Sequence, residues 1–350
     1  MIKLLIVDDS ALMRKHLREM FESDGTLEVI TARNGRDALA QIEQYNPDVV
    51  TLDVNMPEMD GLTCLSEIMT HSPRPVVMVS SITAKGAQAT LEALELGAVD
   101  FLEKPGGTVS LNIDSVRSQL IAKVKAASRA KPRRARGLVQ RIQRSASSDV
   151  KPHPQNSSEG ISGVVVIGVS TGGPRTLEDI LPELPSNFPW PVIVAQHMPG
   201  AFTASFSARL NTICELSVVE VTGPTPLKQG HVYIGRGNAD VIIDRRLGRP
   251  VVNSLAEDPE YHWHPSVARL VKSAMAVFDP SALVAVQLTG MGNDGAEAMA
   301  GLRKAGGRTI AEHESTAIVY GMPAELVRLG GADKILPSHR VADQLISWAR

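Results

Sequence analysis

Two series of short, continuous apolar runs constrain the fold of this chain more than any other feature. The first series spans residues 1 to about 125 and the second spans about 161 to 350, and in both the runs alternate with longer amphipathic stretches. Continuous Val, Ile and Leu runs indicate strands buried on both faces, as in parallel sheets covered by helices. The sequence therefore predicts an α/β fold with two doubly wound parallel-sheet domains. The strand candidates are 4–7, 48–52, 76–79 and 98–102, followed by 163–168, 191–195, 232–235 and 283–288.

Residues 126–160 interrupt this alternation with basic residues, prolines and small polar residues that a core could not bury. We predict a flexible basic linker here, between a first domain at 1–125 and a second at 161–350. The linker arginines lack interleaved aromatic residues and a reading helix, so we predict no nucleic-acid partner. The formal net charge of -2 favours neither nucleic acid nor an anionic membrane.

The sequence also predicts the compartment. Cys64 and Cys214 fall in different predicted domains, which argues against a disulfide framework or a thiolate metal site. The chain starts with an apolar strand and shows no basic leader or cleavage site. Its apolar runs are far shorter than the about 20 residues that a membrane helix needs. We expect a cytoplasmic protein that is not inserted in a membrane.

Charged and polar side chains follow four predicted strands of the first domain. Asp8 and Asp9 follow the first strand and Asp53 follows the next, so three carboxylates should meet at one sheet edge. Such a cluster needs a cation, and all-oxygen ligands suit Mg²⁺. Helix capping is the alternative, and it would explain one or two of these aspartates. Ser80 and Lys104 end two further strands, which together predict a metal-bound phosphoryl site.

These motifs resemble the receiver domain of response regulators, from Leu4 to about Val124. The resemblance rests on Val7-Asp8-Asp9-Ser10, Asp53-Val54-Asn55-Met56-Pro57-Glu58-Met59-Asp60-Gly61, Val79-Ser80-Ser81 and Lys104-Pro105. It implies a flavodoxin-like domain that uses Mg²⁺ as cofactor and accepts a phosphoryl group on Asp53 from a chemotaxis histidine kinase.

The resemblance also assigns roles around Asp53. It implies that Asp9, Asp53 and the Asn55 carbonyl hold Mg²⁺, with Asp8 nearby. It further implies that Ser80 and Lys104 engage the phosphoryl group and that Phe101 is the aromatic switch residue. Asn55 stands where a glutamate is usual in the methylesterase family named below. Because that contact comes from the backbone, we expect metal binding to be retained.

A serine stands in a glycine-rich turn of the second domain, Gly168-Val169-Ser170-Thr171-Gly172-Gly173-Pro174, between a strand and a predicted helix. Such turns also bind phosphates, but neither nucleotide-binding spacing is present and no lysine follows. A serine nucleophile needs a base and a group that orients the base. His197 and Asp294 follow two other strands of the same predicted sheet, so the three side chains should converge as a triad.

Each triad candidate has a simpler explanation when taken alone. His197 would be a structural histidine and Asp294 a turn residue, and only their joint placement with Ser170 favours catalysis. The segment His262-Trp263-His264 lacks the carboxylate or cysteine pattern that would complete a zinc site, and we assign it no metal.

The second domain resembles the catalytic domain of chemotaxis protein-glutamate methylesterases over about 161–348. The resemblance rests on the serine turn, on Gln196-His197-Met198-Pro199 and on Leu288-Thr289-Gly290-Met291-Gly292-Asn293-Asp294-Gly295. It implies a Rossmann-like serine esterase in which Ser170 is the nucleophile, His197 the general base and acid, and Asp294 its orienting group. Backbone N–H groups at Thr171 and Met291 become oxyanion candidates, and the esterase reaction requires no cofactor.

The implied substrates are glutamate methyl esters on methyl-accepting chemotaxis receptors, with deamidation of receptor glutamines as a second activity. We expect the receiver to control the esterase as a phosphorylation-dependent lid. A DNA-binding output domain is the rival from another class, and it predicts a helix-turn-helix after the linker. A third possibility keeps the triad and changes the substrate to a small-molecule ester or amide.

Overall fold

Parallel strands organise both halves of the chain in the computed structural model, which describes residues 1–80, 84–104, 113–130 and 160–349. The chain divides into two units, Met1–Val139 and Gln140–Arg350. Most of the predicted linker, residues 131–159, lies outside the described residues. Among the helices of the described ranges, none is long and apolar enough to cross a membrane.

The first unit is a five-stranded parallel sheet with the strand order β2-β1-β3-β4-β5. This order is that of flavodoxin-like doubly wound sheets, and it confirms the predicted fold class. The strands are β1 (Ile2–Val7), β2 (Leu27–Ala32), β3 (Val49–Asp53), β4 (Val76–Ser80) and β5 (Asp100–Glu103). The helices are α1 (Ala11–Glu22), α2 (Gly35–Tyr45), α3 (Gly61–His71), α4 (Ala84–Leu96) and α5 (Ile113–Ser128).

Two details of this unit differ from the expectation. Helix α5 continues past residue 125 to Ser128. Strand β2 was absent from the predicted strands because it lies at the sheet edge, and Glu28 is exposed within it. Only the first and last residues of β2 are buried, so it carries no continuous apolar run, whereas β5 at the opposite edge is buried at three of its four positions and was predicted.

The second unit contains a seven-stranded parallel sheet with the order β15-β14-β13-β6-β7-β10-β8. Its strands are β6 (Val164–Val169), β7 (Val192–Gln196), β8 (Ser217–Val221), β10 (His231–Gly235), β13 (Leu283–Gln287), β14 (Arg308–Glu312) and β15 (Lys334–Leu336). Its helices are α6 (Gly173–Ile180), α7 (Gly200–Ile213), α8 (Val267–Val277), α9 (Ala296–Lys304), α10 (Met322–Arg328) and α11 (Val341–Trp348). This parallel α/β sheet takes the place that the rival prediction gave to a helix-turn-helix.

A small antiparallel sheet completes the second unit, and neither this sheet nor the strands β8, β14 and β15 of the large sheet were predicted. It consists of β9 (Thr225–Pro226), β11 (Asp240–Arg246) and β12 (Arg249–Leu255) in the order β11-β12-β9. The tip of the β11–β12 hairpin, from Asp244 to Arg249, is exposed. Polar, half-exposed strands of this kind lack the apolar continuity on which the strand predictions depended.

The order of strands in the large sheet reverses at its centre. From β6 the chain proceeds to β7, β8 and β10 on one side, whereas β13, β14 and β15 extend the sheet on the other side. In open α/β sheets, ligands bind at the carboxyl ends of the strands at such a switch point. The carboxyl ends of β6, β7 and β13 are therefore where a functional site is expected.

The start of α8 packs directly on the end of the central strand. A side chain at Gly168 would overlap with Val267, the first residue of α8. Both residues are fully buried or nearly so. The glycine thus lets the N-terminus of α8 approach the carboxyl edge of the sheet, and that approach shapes the site described next.

Candidate active site and phosphorylation site

Ser170 directly follows β6 in a turn held by main-chain hydrogen bonds. Its N–H donates to the Thr289 carbonyl (3.0 Å), and its carbonyl accepts from the Gly173 N–H (2.8 Å). Gly172 adopts a φ of +78° as the N-cap of α6, a left-handed conformation that favours glycine. The turn therefore presents a serine between a buried strand and a helix N-terminus.

His197 lies beside Ser170 because their strands are neighbours in register. Val169 pairs with Gln196, and the His197 N–H donates to the Val169 carbonyl at 3.0 Å. On its other side, His197 Nε2 lies 2.9 Å from Asp294 Oδ2. The structure thus pairs His197 with Asp294 and places Ser170 at the end of the neighbouring strand, at the same carboxyl edge of the sheet.

The two ring nitrogens of His197 have different surroundings. Nε2 is paired with a carboxylate, which assigns the ring proton to that nitrogen. Nδ1 is buried and has no hydrogen-bond partner among the described residues. Nδ1 is therefore the nitrogen whose lone pair is available, whereas serine proteases use Nε2 for that purpose.

Asp294 lies at the N-terminus of α8. Its Oδ2 accepts from the Val267 N–H (2.7 Å), and its Oδ1 accepts from the Ala268 N–H (3.0 Å) and the Ser266 hydroxyl (3.3 Å). A helix N-terminus favours negative charge, so these donors stabilise the ionised carboxylate. Sequence reasoning missed Ser266, although a serine before an apolar helical stretch is an N-cap signal.

A second buried carboxylate holds the segment that leads into α8. Asp240 Oδ1 accepts from the Ser266 N–H (2.8 Å) and from His264 Nδ1 (3.1 Å), and Oδ2 accepts from Arg269 (2.7 Å). Burial alone would raise the pKa of Asp240, but these hydrogen bonds together hold it below its ordinary value. No sequence motif marked Asp240, because its partners come from a separate part of the chain.

Trp263 covers the catalytic histidine candidate. Its indole ring lies parallel to the His197 ring, with an interplanar angle of 3° and centroids 5.9 Å apart. The ring also fills the space beside Gly292, where an added Cβ would come within 2.8 Å of it. The segment to which we assigned no metal therefore supports the triad through Trp263 and His264.

The candidate oxyanion donors belong to two turns in contact. The Thr289 hydroxyl donates to the Thr171 carbonyl (2.9 Å), and an added Cβ at Gly290 would lie 2.6 Å from Ser170 Cβ. Thr171 is buried and Met291 is half-buried. Their N–H groups donate to no acceptor within the described parts of the chain. Both groups are therefore available to a ligand beside Ser170.

The acidic cluster of the first unit gathers at the carboxyl ends of β1 and β3. Carboxylate oxygens of Asp8, Asp9 and Asp53 lie within 4.8 Å of one another. Lys104 Nζ lies 2.7 Å from Asp53 Oδ2 and 2.9 Å from Asp8 Oδ2. Burial raises the pKa of Asp53 despite the opposing effect of Lys104. This concentration of oxygen ligands and buried negative charge fits Mg²⁺.

The capping alternative does not account for these aspartates, because Ser10, Asn34 and Asp60 are the side-chain caps of α1, α2 and α3. Asp8 instead accepts locally from the Ser10 N–H at 2.9 Å.

The remaining receiver candidates lie near Asp53 or on β4 and β5. Ser80 is buried one position beyond Val79, the β4 partner of Asp53. Asn55 is exposed, and its N–H lies 3.4 Å from Asp53 Oδ1. Phe101 is buried on β5, with Lys123 Nζ 5.6 Å from its ring centroid.

Comparison with known proteins follows the division of the chain. Residues 165–345 match the family described as CheB methylesterase, and residues 4–113 match the family described as response regulator receiver domain. A protein-glutamate methylesterase/protein-glutamine glutaminase of Rhodospirillum rubrum is 55% identical over 357 residues, covering 99% of this chain and 96% of the relative. A relative with the same description from Rhodopseudomonas palustris is 50% identical, covering 99% and 98%.

Among solved structures, the CheB methylesterase catalytic domain of Thermotoga maritima is similar to the second unit. It is 38% identical, with a TM-score of 0.51, and the match covers 53% of this chain and 98% of that chain.

Proposed function

The chain belongs to the CheB methylesterase family and carries a response regulator receiver domain, and on this premise we propose that it demethylates glutamate methyl esters on methyl-accepting chemotaxis receptors. Phosphorylation of the receiver activates the reaction, which serves adaptation in chemotaxis signalling. The observation that carries the assignment of roles is the buried His197–Asp294 pair beside the Ser170 turn at the switch point of the sheet.

In the proposed reaction, Ser170 Oγ attacks the γ-carbonyl carbon of the ester. His197 accepts the serine proton on Nδ1, the nitrogen that has no partner among the described residues, while Asp294 stabilises the resulting imidazolium through Nε2. The tetrahedral intermediate collapses, and the proton on Nδ1 passes to the departing methoxide, so that methanol leaves. A water molecule, deprotonated by His197, then attacks the glutamyl ester of Ser170, the bond to Oγ breaks, and the proton on Nδ1 returns to Oγ, which yields a receptor glutamate and free Ser170.

The Thr171 and Met291 N–H groups are the proposed oxyanion donors. Thr171 belongs to the serine turn and Met291 to the turn that contacts it, and both donors remain available within the described residues. Fixed backbone donors stabilise the charge that develops on the carbonyl oxygen. The same route deamidates a receptor glutamine when ammonia replaces methanol as the leaving group, and we propose this as the second activity.

We propose Asp53 as the phosphorylation site of the receiver. Asp8, Asp9, Asp53 and the Asn55 carbonyl are the proposed ligands of Mg²⁺, which when bound neutralises negative charge on the phosphoryl group. Lys104 already contacts Asp53, so it is positioned to pair with a phosphoryl oxygen. Ser80 is the proposed hydroxyl donor and Phe101 the switch residue. A chemotaxis histidine kinase is the proposed phosphodonor.

We further propose that the protein acts in the cytoplasm. Both of its cysteines, Cys64 and Cys214, are free and buried, which is consistent with a reducing compartment.

The test is methanol release from methylated receptor signalling helices. The wild type is compared with Ser170→Ala, each with and without Mg²⁺ and acetyl phosphate. Ser207→Ala is a matched control because Ser207 is also buried in the second unit and its hydroxyl bonds locally to the Thr203 carbonyl. We expect release that requires Ser170, survives Ser207→Ala and rises with the phosphodonor only when Asp53 is present.

Three results would contradict the proposal in different ways. Methanol release by Ser170→Ala at the wild-type rate would show that Ser170 is not the nucleophile. Stimulation that persists in Asp53→Asn would remove the phosphorylation site. Hydrolysis of small esters without any release from receptor helices would leave a serine esterase with a different substrate.

A further inference from the structure

Two buried glutamines flank the serine strand at the carboxyl edge of the large sheet. Gln196 ends β7 and Gln287 ends β13, the two strands that neighbour β6. Their exposed fractions are 2% and 0%. We infer that Gln196 and Gln287 are positioning residues of the proposed triad, acting through the main chain of Ser170, His197 and Asp294. This inference rests on the proposed function, because it concerns the same site.

Gln196 links the backbones of the proposed nucleophile and base. Its Nε2 group donates to the Ser170 carbonyl (3.0 Å) and to the His197 carbonyl (3.1 Å). Ser170 and His197 belong to different strands, so one amide group sets the distance between the two turns. A displacement of about 1 Å between reacting groups costs about 10²-fold in rate, which makes this link kinetically important.

Gln287 performs the corresponding role for Asp294, the third member of the proposed triad. Its Nε2 group donates to the Asp294 carbonyl at 3.2 Å. The register places Gln287 opposite Gly168 and Gln196 opposite Val169. Successive residues of a strand point to opposite faces, so the two glutamines hold the site from opposite faces of the sheet.

Each glutamine has one buried side-chain oxygen that accepts no hydrogen bond from the described residues. Oε1 of Gln196 and Oε1 of Gln287 are buried and lack a hydrogen-bond donor among the described residues. Buried polar atoms are normally paired, and an apolar side chain would avoid this cost. The arrangement is consistent with selection for the amide donors rather than for stability of the sheet.

Two catalytic turns are shaped to accommodate these side chains. A Cβ at Gly173 would overlap with Gln196 Oε1, and a Cβ at Gly295 would lie 3.2 Å from Gln287 Oε1. Each glutamine therefore packs against a glycine in the turn that it supports. The glycines of both motifs are required in part by the glutamines beneath them.

The principal test is Gln196→Met, which keeps the length of the side chain and removes both donors. We expect kcat for methanol release to fall by about 10²-fold with little change in KM, because Gln196 is buried below the site. Gln344→Met is the matched control, since Gln344 is half-buried on α11 of the same unit. The melting temperature of each variant is measured in the full chain.

A double-mutant cycle with His197→Ala separates positioning from a structural role. If Gln196 acts by placing His197 against Ser170, Gln196→Met should lower the rate by a far smaller factor in the His197→Ala background than in the wild type. The rate of Ser170 labelling by a fluorophosphonate provides the readout in every variant, independent of the natural substrate. An equal loss in both backgrounds, or unchanged kcat in folded Gln196→Met, would overturn the inference.

Gln287→Met keeps the inference testable if Gln196→Met does not fold, and its expected effect is again on kcat rather than KM. Retention of wild-type kcat by folded Gln287→Met would remove its part of the inference. A wild type that neither releases methanol nor labels at Ser170 would instead refute the proposed function. The two failures are therefore distinguishable.

Discussion

Asp240→Asn tests whether the second buried carboxylate supports the candidate active site. Asp240 is fully buried and accepts hydrogen bonds on both oxygens, with Ser266 and His264 on Oδ1 and Arg269 and the Asp258 N–H on Oδ2. An asparagine has one acceptor oxygen, so either orientation of its amide turns an NH₂ group toward two donors. The substitution also removes the buried counterion of Arg269.

The magnitude follows from these contacts. Loss of a hydrogen bond to a charged group costs about 1.5–3 kcal/mol, and a neutral one about 1 kcal/mol. Together they predict a loss of about 2.5–4 kcal/mol, which overlaps the range for breaking a buried ion pair. For a domain of this size, we expect the melting temperature of the second unit to fall by about 5–16 °C. Because the Ser266 turn contacts Asp294, kcat should also fall by about 10-fold or more.

Differential scanning calorimetry and methanol release from receptor helices measure the two effects. Asp244→Asn is the matched control, because Asp244 lies on the same strand, is exposed and accepts only from the neighbouring Arg245 N–H in the described structure. If Asp240→Asn has the same melting temperature and the same kcat as Asp244→Asn, the hydrogen bonds to Asp240 do not hold the site and the reasoning is wrong.

Three further predictions concern other parts of the molecule. Asp294→Asn should lower kcat by about 10⁴-fold, as loss of the orienting carboxylate does in a serine triad, and normal turnover of the purified variant would argue against its role. Lys104→Met should abolish stimulation of methanol release by acetyl phosphate while leaving the unstimulated rate unchanged, because it removes the positive charge beside Asp53; retained stimulation would contradict this. The pKa values of Asp240 and Asp333 are lowered in the folded protein, so the stability they contribute is complete above an unfolded pKa of about 3.9 and is lost as pH falls through the folded values. The urea concentration at which the second unit is half unfolded should therefore decrease as the pH falls below about 4. A midpoint that stays constant down to pH 3 would refute this linkage.

The main strands were predictable because they are buried on both faces. β3, β4 and β6 are buried along their whole length, so their sequences contain little besides apolar residues. Edge and antiparallel strands such as β2 and β12 have half-exposed positions, and their mixed composition resembles that of loops. Burial on one face alone leaves a weaker pattern in the sequence.

The candidate triad could be proposed from sequence because its members occupy strand ends. Ser170, His197 and Asp294 each follow a recognisable apolar run, and parallel strands bring such positions to one edge. The sequence did not predict which nitrogen of His197 faces Asp294. That choice depends on ring orientation, which Trp263 constrains through stacking.

By itself, the sequence determined two parallel α/β sheets, the strand ends that carry chemistry and the identity of the family, because these depend on apolar runs and short motifs. Only the tertiary structure decided which side chains support that chemistry. The Asp294 carboxylate meets the N-terminus of α8, and Asp240 meets Ser266 and Arg269, across 26 or more residues of chain. Hydrogen bonds between segments so far apart depend on the packing of helices on the sheet, and local sequence patterns do not encode that packing.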